Sequence, residues 1–383
     1  MQYRVISTDD HLQEAPHTWN SRMSSTWGAR VPQVRRLPDG TDRWFIFDRP
    51  AAFRSLANVG GAMADRNARP QRWEEVPERA YVPSERLKAM EQDGVDAHTL
   101  FGNTAGIAGN TLSDPSFDEQ FRIEAIRAYN DYQVEEWATP YPGRFITLAI
   151  VPMWDVGKAV EELRRACGLG MKGVSFAFPQ QFGYPHIADR YWDPLWGAIQ
   201  DAGVPLNFHV GAGIGPDLNT NAWGGRGAPF LTAEASVRIF SANTAVMSTI
   251  LYSGILERFP TLKIVSAESG LGWVPYVLEV ADHQWERQRL WESGMQVKPS
   301  DLFHRQCYVN FWFEVVGVKM REYVGLDNIM WESDYPHPTC TYPTSQEYIR
   351  RVTEELTPEE RRQILVGNAA RLYRLDTDSA FST

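Results

Sequence analysis

Short runs rich in β-branched and aromatic residues recur along the chain, and most are followed by a stretch with helical spacing. Residues 3–8, 96–101, 144–151, 173–177, 205–209, 262–267, 307–313 and 328–333 read as eight strands. Residues 84–93, 117–138, 156–166, 189–202, 232–257, 272–290 and 317–324 place apolar side chains on one helical face. Residues 344–356 and 358–373 add two further helical stretches. Strands alternating with helices predict βαβ units and a parallel sheet. Eight repeats predict closure into a (β/α)8 TIM barrel. An open doubly wound sheet would carry a Gly-rich phosphate loop after an early strand, and none is present.

Two segments interrupt the alternation. Residues 12–83, rich in Pro, Arg and Trp, form a long insertion after the first strand and include the strand-like GTDRWFIFD. Residues 210–230, VGAGIGPDLNTNAWGGRGAPF, form a Gly-rich loop after the fifth strand. Both leave the C-terminal ends of strands, the end at which barrels of this kind build their sites. A length of 383 residues suits one elaborated barrel domain over 1–383.

Composition narrows the class. A hydrophobic share of 43% with 22% charged residues is ordinary for a globular core. The net charge of −10, with no basic run, argues against nucleic acid or an anionic membrane as partner. Cys167, Cys307 and Cys340 form neither a disulfide framework nor a zinc ribbon. The opening MQYRVISTDDH runs straight into a strand without a leader pattern, and no apolar run reaches membrane-spanning length. A cytoplasmic protein is expected.

Candidate chemistry collects at strand ends. Asp9 and His11 stand two apart, so on a strand both face one side, and a carboxylate with an imidazole suits zinc, iron or manganese. His209 closes the fifth strand (PLNFH), Glu268 follows the sixth (KIVSAESG), and Asp334 follows the eighth (IMWESDYPHP). Each has a plainer reading: a strand-end turn, a core histidine, a helix cap, a turn aspartate. Their shared placement at one barrel end favours a metal site. His17, His98, His186 and His304 lie off this pattern and read as structural.

Asp-x-His after strand 1, His after strand 5 and Asp after strand 8 resemble the amidohydrolase superfamily. The likeness is greatest to its amidohydrolase-related branch of aminocarboxymuconate-semialdehyde and hydroxybenzoate-type decarboxylases. ISTDDHLQEAP, RYWDPLWGAIQDAGVPLNFHVGAG, FPTLKIVSAESGLGWVPYVLE, NIMWESDYPH and GNAARLYRL carry the resemblance over residues 6–375. It implies that Asp9, His11, His209 and Asp334 hold a divalent metal, with Asp334 also moving protons, and it implies a homodimer. One departure stands out. Where the decarboxylases have His-Gly-Gly after strand 6, this chain has Glu268-Ser269-Gly270. The exchange counts against plain decarboxylation and crowds three carboxylates together. His337 and His283 are then candidate ligands for a second metal with Glu268 as bridge, His283 lying on a helix that in the resembling enzymes reaches a site near the dimer interface.

The leading expectation is therefore a zinc-dependent hydrolase. Glu268 or Asp334 would serve as general base toward an amide, ester, thioester or C–C bond beside a carbonyl, in a small carboxylic or acyl substrate. His283 is a further catalytic candidate. Trp19, Trp44, Trp223, Trp273 and Trp312 suggest an apolar or aromatic acyl part. Glu14 would orient His11, and Arg226 would meet a substrate carboxylate. The alternatives are non-oxidative decarboxylation of an aromatic or unsaturated acid, a dinuclear iron or manganese enzyme, possibly oxygen-activating, and a non-catalytic barrel subunit.

Overall fold

The protein is seen in a computed structural model that describes residues 2–51, 56–211 and 227–377. Its strands are β1 (Ile6–His11), β2 (Gln33–Arg36), β3 (Asp42–Ile46), β4 (Arg49–Pro50), β5 (Ala97–Phe101), β6 (Phe145–Ala149), β7 (Gly173–Ser175), β8 (Leu206–His209), β9 (Ile264–Ala267), β10 (Cys307–Phe311) and β11 (Ile329–Trp331). β1 and β5 to β11 form one parallel sheet in sequence order. Backbone bonds at the seam complete the (β/α)8 barrel: Asp334 N–H donates to Asp9 O at 2.9 Å, and His11 N–H to Tyr335 O at 2.7 Å.

The helices are α1 (Pro83–Asp93), α2 (Glu119–Tyr132), α3 (Val156–Gly168), α4 (Asp193–Ala202), α5 (Ala228–Tyr252), α6 (Ile255–Arg258), α7 (Val274–Arg287), α8 (Pro299–Gln306), α9 (Val315–Lys319), α10 (Arg321–Val324), α11 (Ser345–Val352), α12 (Pro358–Arg362) and α13 (Asn368–Leu372). Their limits follow local chemistry. The Asp118 carboxylate accepts from the N–H groups of Gln120 and Phe121 and so starts α2, while Gly94, at φ 71°, ends α1 in the left-handed region. Ile146, Leu148, Val174, Phe208 and Val309 join helix residues such as Leu163, Leu195 and Leu278 in the main core. That burial fixes the strands, and the strands fix what stands at their ends.

Every expected strand is present, with shifted limits. The first strand runs to His11 and not to residue 8, so Asp9 and His11 lie within it. α8 was not expected. Its sequence, PSDLFHRQ, has only Leu302 and Phe303 as apolar anchors, too few for a periodic signal.

The insertion folds over the C-terminal end of the barrel. It holds a three-stranded antiparallel sheet, β2-β3-β4, and a second core around Trp19, Trp44, Ile46 and Leu56. Gly61 N–H donates to Pro336 O at 2.9 Å, and Arg66 donates to Cys340 O at 2.7 Å. At Gly61 a Cβ would run into Cys340 Sγ and His337 O. Gly61→Ala should therefore lower stability by about 2 kcal/mol, through overpacking against backbone. Thermal or urea unfolding checks this, and an unchanged midpoint would show that the insertion does not rest on the loop after β11.

Candidate metal centre

Successive strand ends bring the site together. β1 supplies Asp9 and His11, β8 supplies His209, and the segment beyond β11 supplies Asp334, all buried. His11 Nε2 lies 3.0 Å from His209 Nε2. Asp9 Oδ1 is 3.5 Å from His11 Nε2, and Asp9 Oδ2 is 3.3 Å from His209 Nε2. Asp334 Oδ1 stands 3.7 Å from His11 Nε2. Donor separations of this size are the edges of a coordination shell with bonds of about 2.1 Å.

The donor chemistry agrees. His209 Nδ1 lies 2.5 Å from Val210 O, which can only accept, so Nδ1 holds the proton and Nε2 keeps its lone pair for the centre. Neither oxygen of Asp9 receives a hydrogen bond among the described residues, although both are buried. Buried carboxylate oxygens seldom go unpartnered unless something else takes their lone pairs. Two imidazoles and two carboxylates are a donor set for zinc, manganese or iron.

Glu268 and His337 flank this group. Glu268 Oε2 is 3.4 Å from His209 Nε2, at the border of the group, and both Glu268 and Asp334 hold left-handed backbone, with φ of 54° and 60°. His337 stacks on His11, with ring centroids 3.7 Å apart, and turns Nδ1 to Asp334 Oδ1 at 2.9 Å. Its Nε2 faces Asn103 Oδ1 at 3.3 Å. A second possible donor group thus consists of His11, Asp334 and His337.

Burial sets the electrostatics. It pushes the Asp9 carboxyl well above its usual range, and Asp334 adds to the effect. Glu268 and Glu332 are raised by burial and by the other carboxyls around them. The same burial drives His11 well below its usual value and His209 down to about 4. An emptied centre favours neutral groups, whereas a centre that receives a cation favours carboxylates and free imidazoles.

Several expected roles need correction. His283 is exposed on α7, whose buried face is Val274, Val277, Leu278 and Ala281, so this chain's own His283 does not reach the site. The dinuclear arrangement thereby loses one of its expected ligands. Glu14 does not orient His11; its carboxylate accepts from Asn103 N, Thr104 N and Ala105 N at 3.2, 2.8 and 2.9 Å and anchors the loop after β5. Trp19 and Trp44 are buried together in the insertion, and Trp312 packs on Phe240. Trp273 donates to Ser269 O at 3.1 Å. Arg226 and Trp223 lie outside the described residues.

Two contributors were missed. Glu332 is fully buried, two residues before Asp334. The same two-residue spacing that paired Asp9 with His11 would have placed it on the site's side of the strand. Arg86, buried on α1, donates to His11 O at 2.7 Å and to Arg79 O at 2.8 Å, beneath the Tyr335 ring at 4.5 Å. It faces the Asp10 carboxyl through His98, whose Nδ1 is 3.4 Å from Arg86 Nη1 and 3.7 Å from Asp10 Oδ1. His98 is structural, as expected, but it belongs to the layer behind the ligands. Nothing local in the sequence marks Arg86 out from other helix arginines.

Comparison with known proteins settles the family. Residues 77–375 match the family described as amidohydrolase. The chain belongs to the amidohydrolase family. The insertion separates β1, with Asp9 and His11, from the matched span. Gamma-resorcylate decarboxylase of Rhizobium sp. (strain MTP-10005) is 26% identical over 320 residues, covering 79% of this chain and 91% of that protein. An amidohydrolase from Mycobacterium avium subsp. paratuberculosis K-10 superposes with a TM-score of 0.76 at 21% identity, covering 98% of this chain and 99% of that one. A dihydroxybenzoic acid decarboxylase from Polaromonas sp. JS666, solved with bound manganese and 2-nitroresorcinol, gives 0.64 at 19% identity, with both chains fully covered. The structural likenesses bear on the fold. Family and donor set together make this an enzyme with a divalent-metal centre.

Metal binding must displace protons here. The carboxyls, held neutral by burial, stabilise the apo fold at low pH and oppose it as pH rises through their raised values. His209, held neutral down to about 4, costs stability as pH falls below about 6.5, because the unfolded chain then takes the proton. Loss of the carboxyl protons makes ligation easier at higher pH, while His209, already neutral above about 4, releases no proton on ligation in this range. The rise in melting temperature on adding Mn2+ should therefore grow steadily from pH 5.5 to 8. Asp9→Asn and His209→Ala should abolish most of it. A rise independent of pH would remove these residues from the shell.

Proposed function

We propose that this protein is a metal-dependent carboxy-lyase that removes CO2 non-oxidatively from an aromatic acid, rather than the hydrolase that the Glu at position 268 first suggests. The supporting observation is Asp334: a buried carboxyl in the donor group, with His337 Nδ1 2.9 Å away. It stands in a chain whose relative over 91% of that protein's length is named for decarboxylation. A bound divalent cation would grip the substrate carboxylate with a neighbouring oxygen and offset the surrounding carboxyls. Manganese, present in the Polaromonas enzyme, is the ion to test before zinc. Asp9, His11, His209 and Asp334 would hold it.

Asp334 delivers a proton to the ring carbon that bears the carboxylate. The C–C bond then breaks, its electron pair restores the aromatic ring, and CO2 leaves. Asp334, now a carboxylate, is reloaded through His337, whose far nitrogen faces Asn103 at 3.3 Å. Glu268 borders the substrate position beside His209. The insertion, pinned by Gly61 and Arg66 to the loop after β11, covers this end of the barrel and would keep bulk water from the proton transfer.

Incubation of the Mn2+-loaded enzyme with 2,6-dihydroxybenzoate and related hydroxybenzoates should release CO2. In D2O each product molecule should carry one deuterium, at the carbon that lost the carboxylate. Asp334→Asn should lower turnover by about a thousandfold, and His337→Asn should lower it less. Hydrolysis of aryl esters or amides without CO2 release would return the reading to a hydrolase with Glu268 as base.

The assembly is proposed to be a homodimer formed through α7. Tyr276 is 70% exposed and Val280 41% exposed one turn apart on that helix, and α10, which carries Tyr323 at 67%, packs beside it. Exposed apolar side chains in one patch favour a protein partner. Light scattering should give twice the chain mass, and Tyr276→Glu with Val280→Glu should halve it. A monomeric wild type would refute the assignment.

A further inference from the structure

The turn that carries Glu268 is held from outside itself. Glu268 leaves β9 in left-handed backbone, and Gly270 follows at φ 67°. Two carboxyls from the next strands, Glu332 fully buried and Glu314 half-buried, take the turn's N–H groups. Glu332, beyond β11, accepts from Glu268 N at 3.2 Å. Glu314, beyond β10, accepts from Leu271 N at 3.0 Å through Oε1 and from Trp312 N at 3.2 Å through Oε2.

Glu314 precedes α9 at the position where a side chain ordinarily caps the helix, yet it makes no such bond. Its carboxyl points across to the neighbouring strand's turn. The fit is close: a Cβ at Gly270 would stand 3.0 Å from Glu314 Oε1. Burial pushes Glu314 up to about 7, a cost that a solvent-facing cap would not carry. The plainer alternative is a carboxyl that steadies the fold in general, with no particular bearing on the site.

We propose that Glu314 is a positioning residue for the metal centre: it locks the 268–271 turn against β10 and so fixes the Glu268 carboxyl beside His209. Glu268 Oε2, 3.4 Å from His209 Nε2, lies as near that nitrogen as Asp9 Oδ2 does at 3.3 Å. Displacing the turn would withdraw one oxygen donor from the cation's surroundings. This inference rests on the metal-centre reading and not on the reaction catalysed.

The test is a double-mutant cycle in Mn2+ affinity, measured by calorimetric titration of the full chain. Glu314→Gln should weaken Mn2+ binding about tenfold, as loss of an outer-layer support typically does. Glu268→Gln should weaken it similarly. In the Glu268→Gln background, adding Glu314→Gln should cost no more than about twofold, since Glu314 acts only through the side chain already removed. Gly270→Ala, which pushes on the same contact from the turn, should repeat the pattern and carries the test if Glu314→Gln does not fold. Equal losses in both backgrounds, or no loss in either, would overturn the proposal. A wild type that binds Mn2+ but releases no CO2 would sink the proposed reaction and leave this cycle standing.

Discussion

Asp9, Glu268, Glu332 and Asp334 bring four carboxyl groups, nearly stripped of water, into one barrel mouth. Two imidazole nitrogens among them lie 3.0 Å apart. Like charges at such distances and in such burial cannot all stay ionised without a cation among them. The resolution is either protons or a metal. Much of the surrounding architecture can be understood as holding donors in place through both conditions.

That support is layered. Arg86 places a buried positive charge behind His11 without pairing directly to a ligand carboxylate, so the ligands keep their lone pairs. Asp10 is spent on Ser333 and on Tyr335 N at 3.2 Å, and ties β1 to the segment that delivers Asp334. Glu14 and Glu314 are used on backbone N–H groups and fix the loops after β5 and β9. Carboxylates aimed at backbone donors are rigid struts, because both oxygens are held by N–H groups. The left-handed backbone at Glu268 and Asp334 is met directly by Glu332, which accepts from Glu268 N at 3.2 Å, and by Asp9 O, which accepts from Asp334 N at 2.9 Å.

The sequence made the barrel legible because strand–helix alternation is a local signal repeated eight times. It made the gathering of Asp9, His11, His209 and Asp334 legible because each lies at or just beyond the C-terminal end of a barrel strand. It failed where the signal is not periodic. α8 shows two apolar residues and was passed over. Arg86 looks like any helix arginine, and its role exists only because α1 packs against β1. His283 was placed near the site by analogy with another enzyme's helix, and the fold turns it to solvent. Glu332 was readable by the spacing argument used for Asp9 and His11, but its neighbour Asp334 absorbed the attention.

Glu268 is the residue on which the chemistry turns. The two readings of the enzyme make opposite demands on it. A hydrolase needs Glu268 ionised, to take a proton from water, and a nearby cation favours that state. A decarboxylase of an anionic aromatic acid brings one more negative charge into the same space. It works best with Glu268 neutral, as a hydrogen-bond donor to a substrate oxygen. In the metal-free centre burial favours the neutral form, and Asp334, Asp9 and Glu332 push in the same direction, whereas a bound cation pushes the other way. Under the proposed decarboxylation, a Glu268 that kept its proton would offer a donor where the resembling decarboxylases have a histidine. Glu268 is thus a hydrogen-bond donor to substrate where it keeps its proton and a negative neighbour of the cation where it loses it, and the two readings of the enzyme divide at that proton.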